Sequence, residues 1–117
     1  MKNSKLEDII FLNNKFIPIK EAKISILEPG FLFGWGLFET TRSYRNKIVY
    51  FDEHLERIKF SSKLVGLRIP YPLQKLKKII GKAVSKSGFK DAYVRLTLCK
   101  TKKGTDISVI VRKYTPY

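Results

Sequence analysis

The residues best suited to do chemistry lie in one stretch of the chain, from Glu28 to Arg57. This stretch joins a glycine-punctuated turn to a predicted strand hairpin, and then to a predicted helix that carries His54 and Arg57. The guanidinium group of arginine is planar and always charged, so it can meet two oxygens of an anion at once. The stretch therefore predicts a small-molecule site that holds an anion such as a phosphate ester.

Metal and thiol chemistry receive little support from the sequence. The chain has one cysteine, Cys99, and one histidine, His54, so a zinc site would need carboxylates for most of its ligands. Cys99 lies in an alternating apolar run, which favours a packed thiol over a nucleophile. A single cysteine cannot form an internal disulfide, in agreement with a reducing compartment. We expect no metal site.

Length and composition predict one folded domain over residues 1–117. Hydrophobic residues make up 44% of the 117 residues and aromatic residues 13%, which is enough for an ordinary core. The sequence shows neither a secretory signal nor an apolar run of about 18 residues that could cross a membrane. A cytoplasmic location is therefore expected.

The formal net charge of +14 is the strongest compositional signal. It suggests acidic partners such as nucleic acid, a membrane surface or an anionic cofactor. Many of the lysines fall on the polar side of one predicted helix, at Lys75, Lys77, Lys78, Lys82 and Lys86. A solvated helix face is the simpler explanation of that part of the charge.

Short apolar runs and turn residues predict strands in the first half of the chain. The predicted strands are Ile9 to Leu12, Lys15 to Ile19, Lys23 to Leu27, Phe38 to Tyr44 and Lys47 to Phe51. Asn13-Asn14 and Arg45-Asn46 are the predicted hairpin turns. Between Glu28 and Leu37, a proline and three glycines predict an irregular loop.

A helix is predicted from Glu53 to about Val65, with Asp52 as its N-cap. Leu55, Ile58 and Val65 form its predicted core stripe, whereas His54, Arg57 and Ser61 share an adjacent polar stripe. A second helix is predicted to begin around Pro70-Tyr71-Pro72 and to end at Gly88.

The last third of the chain predicts a strand hairpin, from Ala92 to Lys100 and from Thr105 to Lys113. Alternation places Tyr93 and Arg95 on the more polar face of the first strand. The same rule places Phe38 and Arg42 on one face of their strand. The order of elements predicts an α+β fold, an antiparallel β-sheet with two consecutive helices packed on it.

These motifs together resemble the amino-terminal small domain of the class IV aminotransferases. The resemblance is carried by Gly34-Trp35-Gly36-Leu37-Phe38-Glu39-Thr40, Arg42-Ser43-Tyr44, His54-Leu55-Glu56-Arg57, Ala92-Tyr93-Val94-Arg95 and the segment from Val111 to Tyr117. These are the fold-type IV enzymes that depend on pyridoxal 5'-phosphate. They include branched-chain aminotransferases, D-amino-acid aminotransferases and aminodeoxychorismate lyases.

The resemblance implies roles for particular residues. Arg57 would bind the phosphate of pyridoxal phosphate, while His54 would support that site or be structural. Phe38, Arg42, Tyr93 and Arg95 would shape the substrate pocket, and Glu39 would point the other way and be structural. Trp35 departs from the pattern, because the family commonly has aspartate between the two glycines.

The resemblance also implies a larger second domain, which supplies the lysine that bonds to the cofactor. No lysine of the 117 residues lies in a matching context, so we assign no catalytic residue. The expected function is that of an amino-terminal domain of an enzyme that transfers an amino group between an amino acid and a 2-oxo acid. This domain is expected to be inactive alone, to bind the cofactor weakly, and to belong to a homo-oligomer, such as a dimer, in the complete enzyme.

Alternative functions stay open at this point. One is a fragment of an enzyme similar to aminodeoxychorismate lyase. A different class would be a basic module that binds nucleic acid through strand aromatics, although no RNA-binding motif is present. A third is an interaction module that offers to another chain the surface that meets the large domain in the family.

Overall fold

A computed structural model describes residues 9–115 of the chain. The strands are β1 (Ile9–Leu12), β2 (Lys15–Pro18), β3 (Gly36–Tyr44), β4 (Lys47–Ile48), β5 (Ala92–Lys100) and β6 (Thr105–Lys113). The helices are α1 (Pro29–Phe33), α2 (Phe51–Leu64) and α3 (Leu73–Ser87), with a 3-10 turn at Ile19–Glu21. The predicted α+β fold is confirmed.

The strands form one antiparallel sheet in the order β2-β1-β6-β5-β3-β4. Helices α2 and α3 supply buried side chains to the same core as the sheet, and β5 lies centrally between β6 and β3. The core residues of β5 are Val94, Leu96 and Leu98, all on the face predicted from alternation. Tyr93 and Arg95 alternate with them and are half-buried.

Five predicted elements are confirmed with little change. Strands β5 and β6 have the predicted bounds, and β1 and β2 form the predicted hairpin, with β2 ending one residue early at Pro18. The turn residues Asn13 and Asn14 both have positive φ, which asparagine tolerates better than most residues. Helix α3 begins directly after Pro72 and ends at Gly88, whose φ of 76° favours glycine.

The predicted strand from Lys23 to Leu27 is wrong. These residues lie outside every strand, and the side chains of Ile24, Ile26 and Leu27 are exposed. Strand β2 has already ended at Pro18, and a 3-10 turn at Ile19–Glu21 follows it. An alternating apolar pattern needs a neighbouring strand to become a strand, and within residues 9–115 no strand pairs with this segment.

The predicted loop between Glu28 and Leu37 contains the short helix α1. Pro29 occupies the first turn of that helix, where its missing N–H costs nothing. Gly34 then ends the helix with a φ of 65°, and β3 begins two residues later at Gly36. Gly30 thus lies within a helix, Gly34 ends that helix and Gly36 begins a strand, so the glycines do not make one irregular loop.

The region between β4 and α2 also differs from the prediction. Strand β4 ends at Ile48, and Tyr50, with a φ of 52°, is the residue before α2. Asp52 is therefore not the N-cap but lies inside the first turn, where its carboxylate accepts a hydrogen bond from Lys77 Nζ at 2.8 Å. Val65 is not a core residue either, because it caps the end of α2 and is 41% exposed.

The prediction for the lysines of α3 is confirmed except at one position. Lys75, Lys78, Lys82 and Lys86 are exposed, whereas Lys77 is half-buried beside Asp52. Within residues 9–115, no helix is long and apolar enough to span a bilayer, and no group of three or more potential ligands could hold a metal ion. The cytoplasmic location stays a prediction.

Candidate functional site

Strand β3 organises the site because its two faces carry different chemistry. It pairs with β5 from Gly36 to Arg42, whereas β4 covers only Ser43 and Tyr44 at its end. Directly paired residues of antiparallel strands point to the same side of the sheet. Glu39 and its partner, buried Leu96, therefore point to the side of the sheet that packs against α2 and α3, which we call the helix side. Phe38 and Arg42 point to the opposite side together with Tyr93 of β5, and we call this side the open face.

On the open face, two arginines stack on aromatic rings. Arg95 Cζ lies 3.9 Å from the centroid of the Phe38 ring, and Arg42 Cζ lies 3.8 Å from that of Tyr114. Within residues 9–115, neither guanidinium group forms a salt bridge with a carboxylate. Stacking holds an arginine in place while leaving its N–H groups available to an anion.

A groove of about 640 Å³ adjoins this face. Arg42 and Tyr93 line it together with Arg112 of β6 and Tyr114. Such a volume suits a small molecule, and the cationic walls favour an anionic one. Of the four predicted pocket residues, the structure brings Arg42 and Tyr93 into the groove, whereas Phe38 and Arg95 form their stacked pair outside its lining.

Arg57 lies on the helix side of β3 instead, bound to Glu39. Its Nε donates a hydrogen bond to Glu39 Oε2 at 2.8 Å, and its Nη2 donates to Oε1 at 2.9 Å. His54 Nδ1 lies 2.7 Å from the same Oε1. The shared stripe of His54 and Arg57 predicted for α2 is thereby confirmed.

Contacts within this cluster shift the pKa values of Glu39 and Arg57. Burial by itself raises the pKa of the Glu39 carboxyl, but the hydrogen bonds and charges of Arg57 and His54 outweigh burial and bring the pKa below its ordinary value. The hydrogen bond and charge of Glu39 raise the pKa of Arg57 further. At neutral pH the pair is therefore a carboxylate and a guanidinium ion.

The lowered pKa of Glu39 predicts a loss of stability in acid. A carboxyl group with a lower pKa in the folded state stabilises that state above its unfolded pKa, and this contribution disappears as the pH falls through the folded pKa. Urea unfolding should therefore show a cost of Glu39→Gln at neutral pH that shrinks on acidification through that window. Leu64→Ala changes no ionisable group, so its cost should stay nearly constant. A cost of Glu39→Gln that did not vary with pH would contradict the prediction.

Sequence reasoning missed the contact between Glu39 and Arg57, although its signal was present. Alternation placed Glu39 opposite Phe38, and the helical period placed His54 and Arg57 on one stripe of the following helix. Since that helix packs on the side of the sheet to which Glu39 points, combining the two patterns indicates the contact. Within residues 9–115, no hydrogen bond joins Arg57 to any of the four pocket residues.

Trp35 connects the start of β3 to the end of α2. Its indole Nε1 donates a hydrogen bond to the carbonyl oxygen of Val65 at 2.8 Å, and its own carbonyl accepts one from the Lys100 N–H at 3.0 Å. The carbonyl groups at a helix end lack partners within the helix. Trp35 therefore satisfies one of them and fixes the loop beside the site.

Cys99 behaves as a packed thiol. Burial raises its pKa, and the carboxylates of Asp106 and Glu28 raise it further. A thiol with a raised pKa carries little of the thiolate form that reacts with electrophiles. The structure thus supports the prediction that Cys99 is not a nucleophile.

The fold and the sequence motifs together define an enzyme family. The sequence profile described as "Amino-transferase class IV" matches residues 36–117, from the first residue of β3 onward. The chain belongs to the class IV aminotransferases, a family of transferases that use pyridoxal phosphate.

Individual relatives agree with this assignment. The chain is 32% identical over 91 residues to a putative branched-chain-amino-acid aminotransferase of Methanocaldococcus jannaschii, covering 78% of this chain and 32% of that protein. It is 37% identical over 75 residues to a D-alanine aminotransferase of Staphylococcus aureus strain N315, covering 64% of this chain and 27% of that one. The chain therefore spans about a third of the length of these relatives.

A solved structure shows the same fold. The branched-chain aminotransferase of the archaeon Thermoproteus uzoniensis, crystallised with norvaline, superposes with a TM-score of 0.84 at 27% identity. The match covers 93% of this chain and 41% of that chain. The described fold corresponds to the amino-terminal small domain of the family.

Proposed function

We propose that this chain is the small domain of a pyridoxal-phosphate-dependent aminotransferase, which transfers an amino group between an amino acid and a 2-oxo acid. The family match over residues 36–117 carries this proposal. Its relatives include enzymes named as branched-chain and D-alanine aminotransferases, which favours amino-group transfer over lyase chemistry. A homo-oligomeric complete enzyme is part of the proposal.

Arg57 is the proposed contact to the cofactor phosphate. A guanidinium group has one N–H on Nε and two on each Nη, and Glu39 accepts from Nε and from one N–H of Nη2. The N–H groups of Nη1 and the second one of Nη2 are left for another anion. Because the Arg57 side chain is 64% exposed, an approaching phosphate ester can reach them.

The open face of the sheet is the proposed share of the substrate pocket. Arg42 and Arg95 are held by stacking without a carboxylate partner in the described part of the chain, so either can bind a carboxylate of the substrate. Phe38 and Tyr93 supply the adjoining walls. Pyridoxal phosphate, when bound, supplies the electron sink and the amino-group carrier. The role of these residues is to orient the substrate's carboxylate.

Exposed apolar side chains support a domain that packs against further protein. Phe31 and Phe33 of α1 are exposed, as are Leu27 before this helix and Trp35 after it. A cluster of this kind is uncommon on a surface that meets only water. We infer that the 117 residues alone are inactive and bind the cofactor weakly, because they contain no lysine in the family's cofactor-bonding context.

Binding of pyridoxal 5'-phosphate, compared with pyridoxal, tests the proposed role of Arg57. We expect the chain to bind the phosphate ester in preference, and Arg57→Ala to remove that preference, which isothermal titration measures. Arg68→Ala is the matched control, since it removes the same charge from another exposed position. An equal loss of preference in both variants would show that only net charge matters and would contradict the assignment of Arg57.

A further inference from the structure

The carboxylate of Glu39 is unusual for an ion-pair partner because it is almost enclosed while its arginine is open. The side chain of Glu39 is 12% exposed, against 64% for Arg57. Because the carboxylate is enclosed and the guanidinium group is exposed, Glu39 is the group that holds Arg57 in place. In this pair Glu39 of β3 is enclosed by the protein, whereas Arg57 of α2 is exposed to solvent.

The atoms used in the pair determine which edge of the guanidinium group is presented. Glu39 accepts from Nε and Nη2, the two nitrogens along the side of the group, at 2.8 and 2.9 Å. Two parallel hydrogen bonds fix the guanidinium plane as well as its position. The Nη1 edge is then directed away from the carboxylate.

His54 also contacts the carboxylate, at the oxygen that accepts from Arg57 Nη2. A separation of 2.7 Å between His54 Nδ1 and Glu39 Oε1 requires the proton to lie on Nδ1, because a carboxylate can only accept. The 3.3 Å approach of Arg57 Nη2 to the same Nδ1 is then an approach of two donors rather than a hydrogen bond. Both side chains of α2 thus donate to one carboxylate of β3.

We propose that Glu39 is a positioning residue for the phosphate ester: it orients Arg57 so that the Nη1 edge meets the phosphate, with His54 steadying the carboxylate. This inference rests on the proposed function of Arg57 and adds the group that aims it. Simple electrostatics gives the opposite expectation, since a carboxylate next to an anion site repels the anion. Removing Glu39 should therefore weaken binding of the phosphate ester if Glu39 positions Arg57, and strengthen it if Glu39 only repels the anion.

The experiment follows the Nε–Hε NMR signal of Arg57 in the 117-residue chain, assigned by its disappearance in Arg57→Lys. In the unmodified chain this signal should be protected from exchange with water, and in Glu39→Ala the protection should be lost. Titration with pyridoxal 5'-phosphate then gives an affinity. Glu39→Ala should weaken it about threefold to tenfold, the effect of about one hydrogen bond. Glu39→Gln keeps one acceptor oxygen, so its affinity should lie between those of the unmodified chain and of Glu39→Ala.

Glu56→Gln is the matched control because it removes one negative charge at an exposed position next to Arg57 in the chain. Positioning predicts that Glu56→Gln leaves the affinity unchanged or slightly tighter. Glu39→Ala or Glu39→Gln binding as tightly as the unmodified chain, or more tightly, overturns the inference. If Glu39→Ala does not fold, as judged by amide NMR dispersion, Glu39→Gln decides the matter.

Failure of this inference is distinguishable from failure of the proposed function. If the unmodified chain shows no response of Arg57 to the phosphate ester, the phosphate role of Arg57 and the positioning role of Glu39 both fall. If Arg57→Ala abolishes the phosphate preference while Glu39→Ala preserves it, only the positioning role falls.

Discussion

Leu98→Ala should lower the free energy of unfolding by about 2 to 5 kcal/mol. Leu98 is fully buried on the central strand β5, where it pairs with Leu37 on one side and Ile107 on the other. Removing its side chain leaves a cavity between the sheet and the helices that the surrounding residues cannot fill. Urea unfolding followed by circular dichroism measures the change.

Leu64→Ala is the matched control for that cost. It makes the same chemical change near the end of α2, where the side chain is 72% exposed. We expect a difference from the unmodified chain of about 0.5 kcal/mol or less. Similar costs for Leu98→Ala and Leu64→Ala would show that the assigned core is wrong.

Gly30→Ala should destabilise the chain by about 1 to 3 kcal/mol, the usual cost of forcing extra atoms into a packed site. A Cβ at Gly30 would lie 2.0 Å from Cys99 Sγ and 2.9 Å from the carbonyl oxygen of Lys100. Helix α1 would have to move away from β5. Thermal and urea unfolding both measure the loss.

Gly81→Ala makes the same substitution with the opposite expected sign. Gly81 lies inside α3, and a Cβ there meets no atom within 4 Å. Alanine is favoured over glycine in a helix, so we expect a gain of about 0.5 to 1 kcal/mol. A neutral Gly30→Ala would contradict the close approach of α1 to β5, whatever the result at Gly81. Adding Cys99→Ala to Gly30→Ala should remove the clash with the sulfur atom but leave the one with the Lys100 carbonyl oxygen, so only part of the lost stability should return.

Much of the fold could be predicted because local signals agreed with the tertiary structure. Strands β5 and β6 alternate clearly and enclose a loop with Gly104, so their bounds follow from the sequence. The segment from Lys23 to Leu27 alternates too, but strand formation depends on a neighbour that local pattern cannot supply. The start of α2 was misplaced because Tyr50 adopts a positive φ, which its residue type does not indicate.

The candidate site could be predicted only in part for a related reason. Alternation correctly grouped Phe38 with Arg42, and Tyr93 with Arg95, because parity along a strand is a local property. The stacking of Arg42 on Tyr114 depends on the path that the chain takes after β6, which no local pattern around Arg42 encodes. The ion pair of Glu39 with Arg57 required strand parity and helix packing to be considered together.

The register of β3 against β5 has a consequence for how the two halves of the site are linked. Phe38 and Glu39 are neighbours that face opposite sides of the sheet, with Thr97 and Leu96 as their partners. A slip of one residue would exchange them, because side chains in a strand alternate with a period of two. Arg57 would then meet a phenyl ring, and Arg95 would meet a carboxylate. The alignment of this one strand thus sets the proposed phosphate side and the proposed substrate side together, and a shift of β3 would disrupt both.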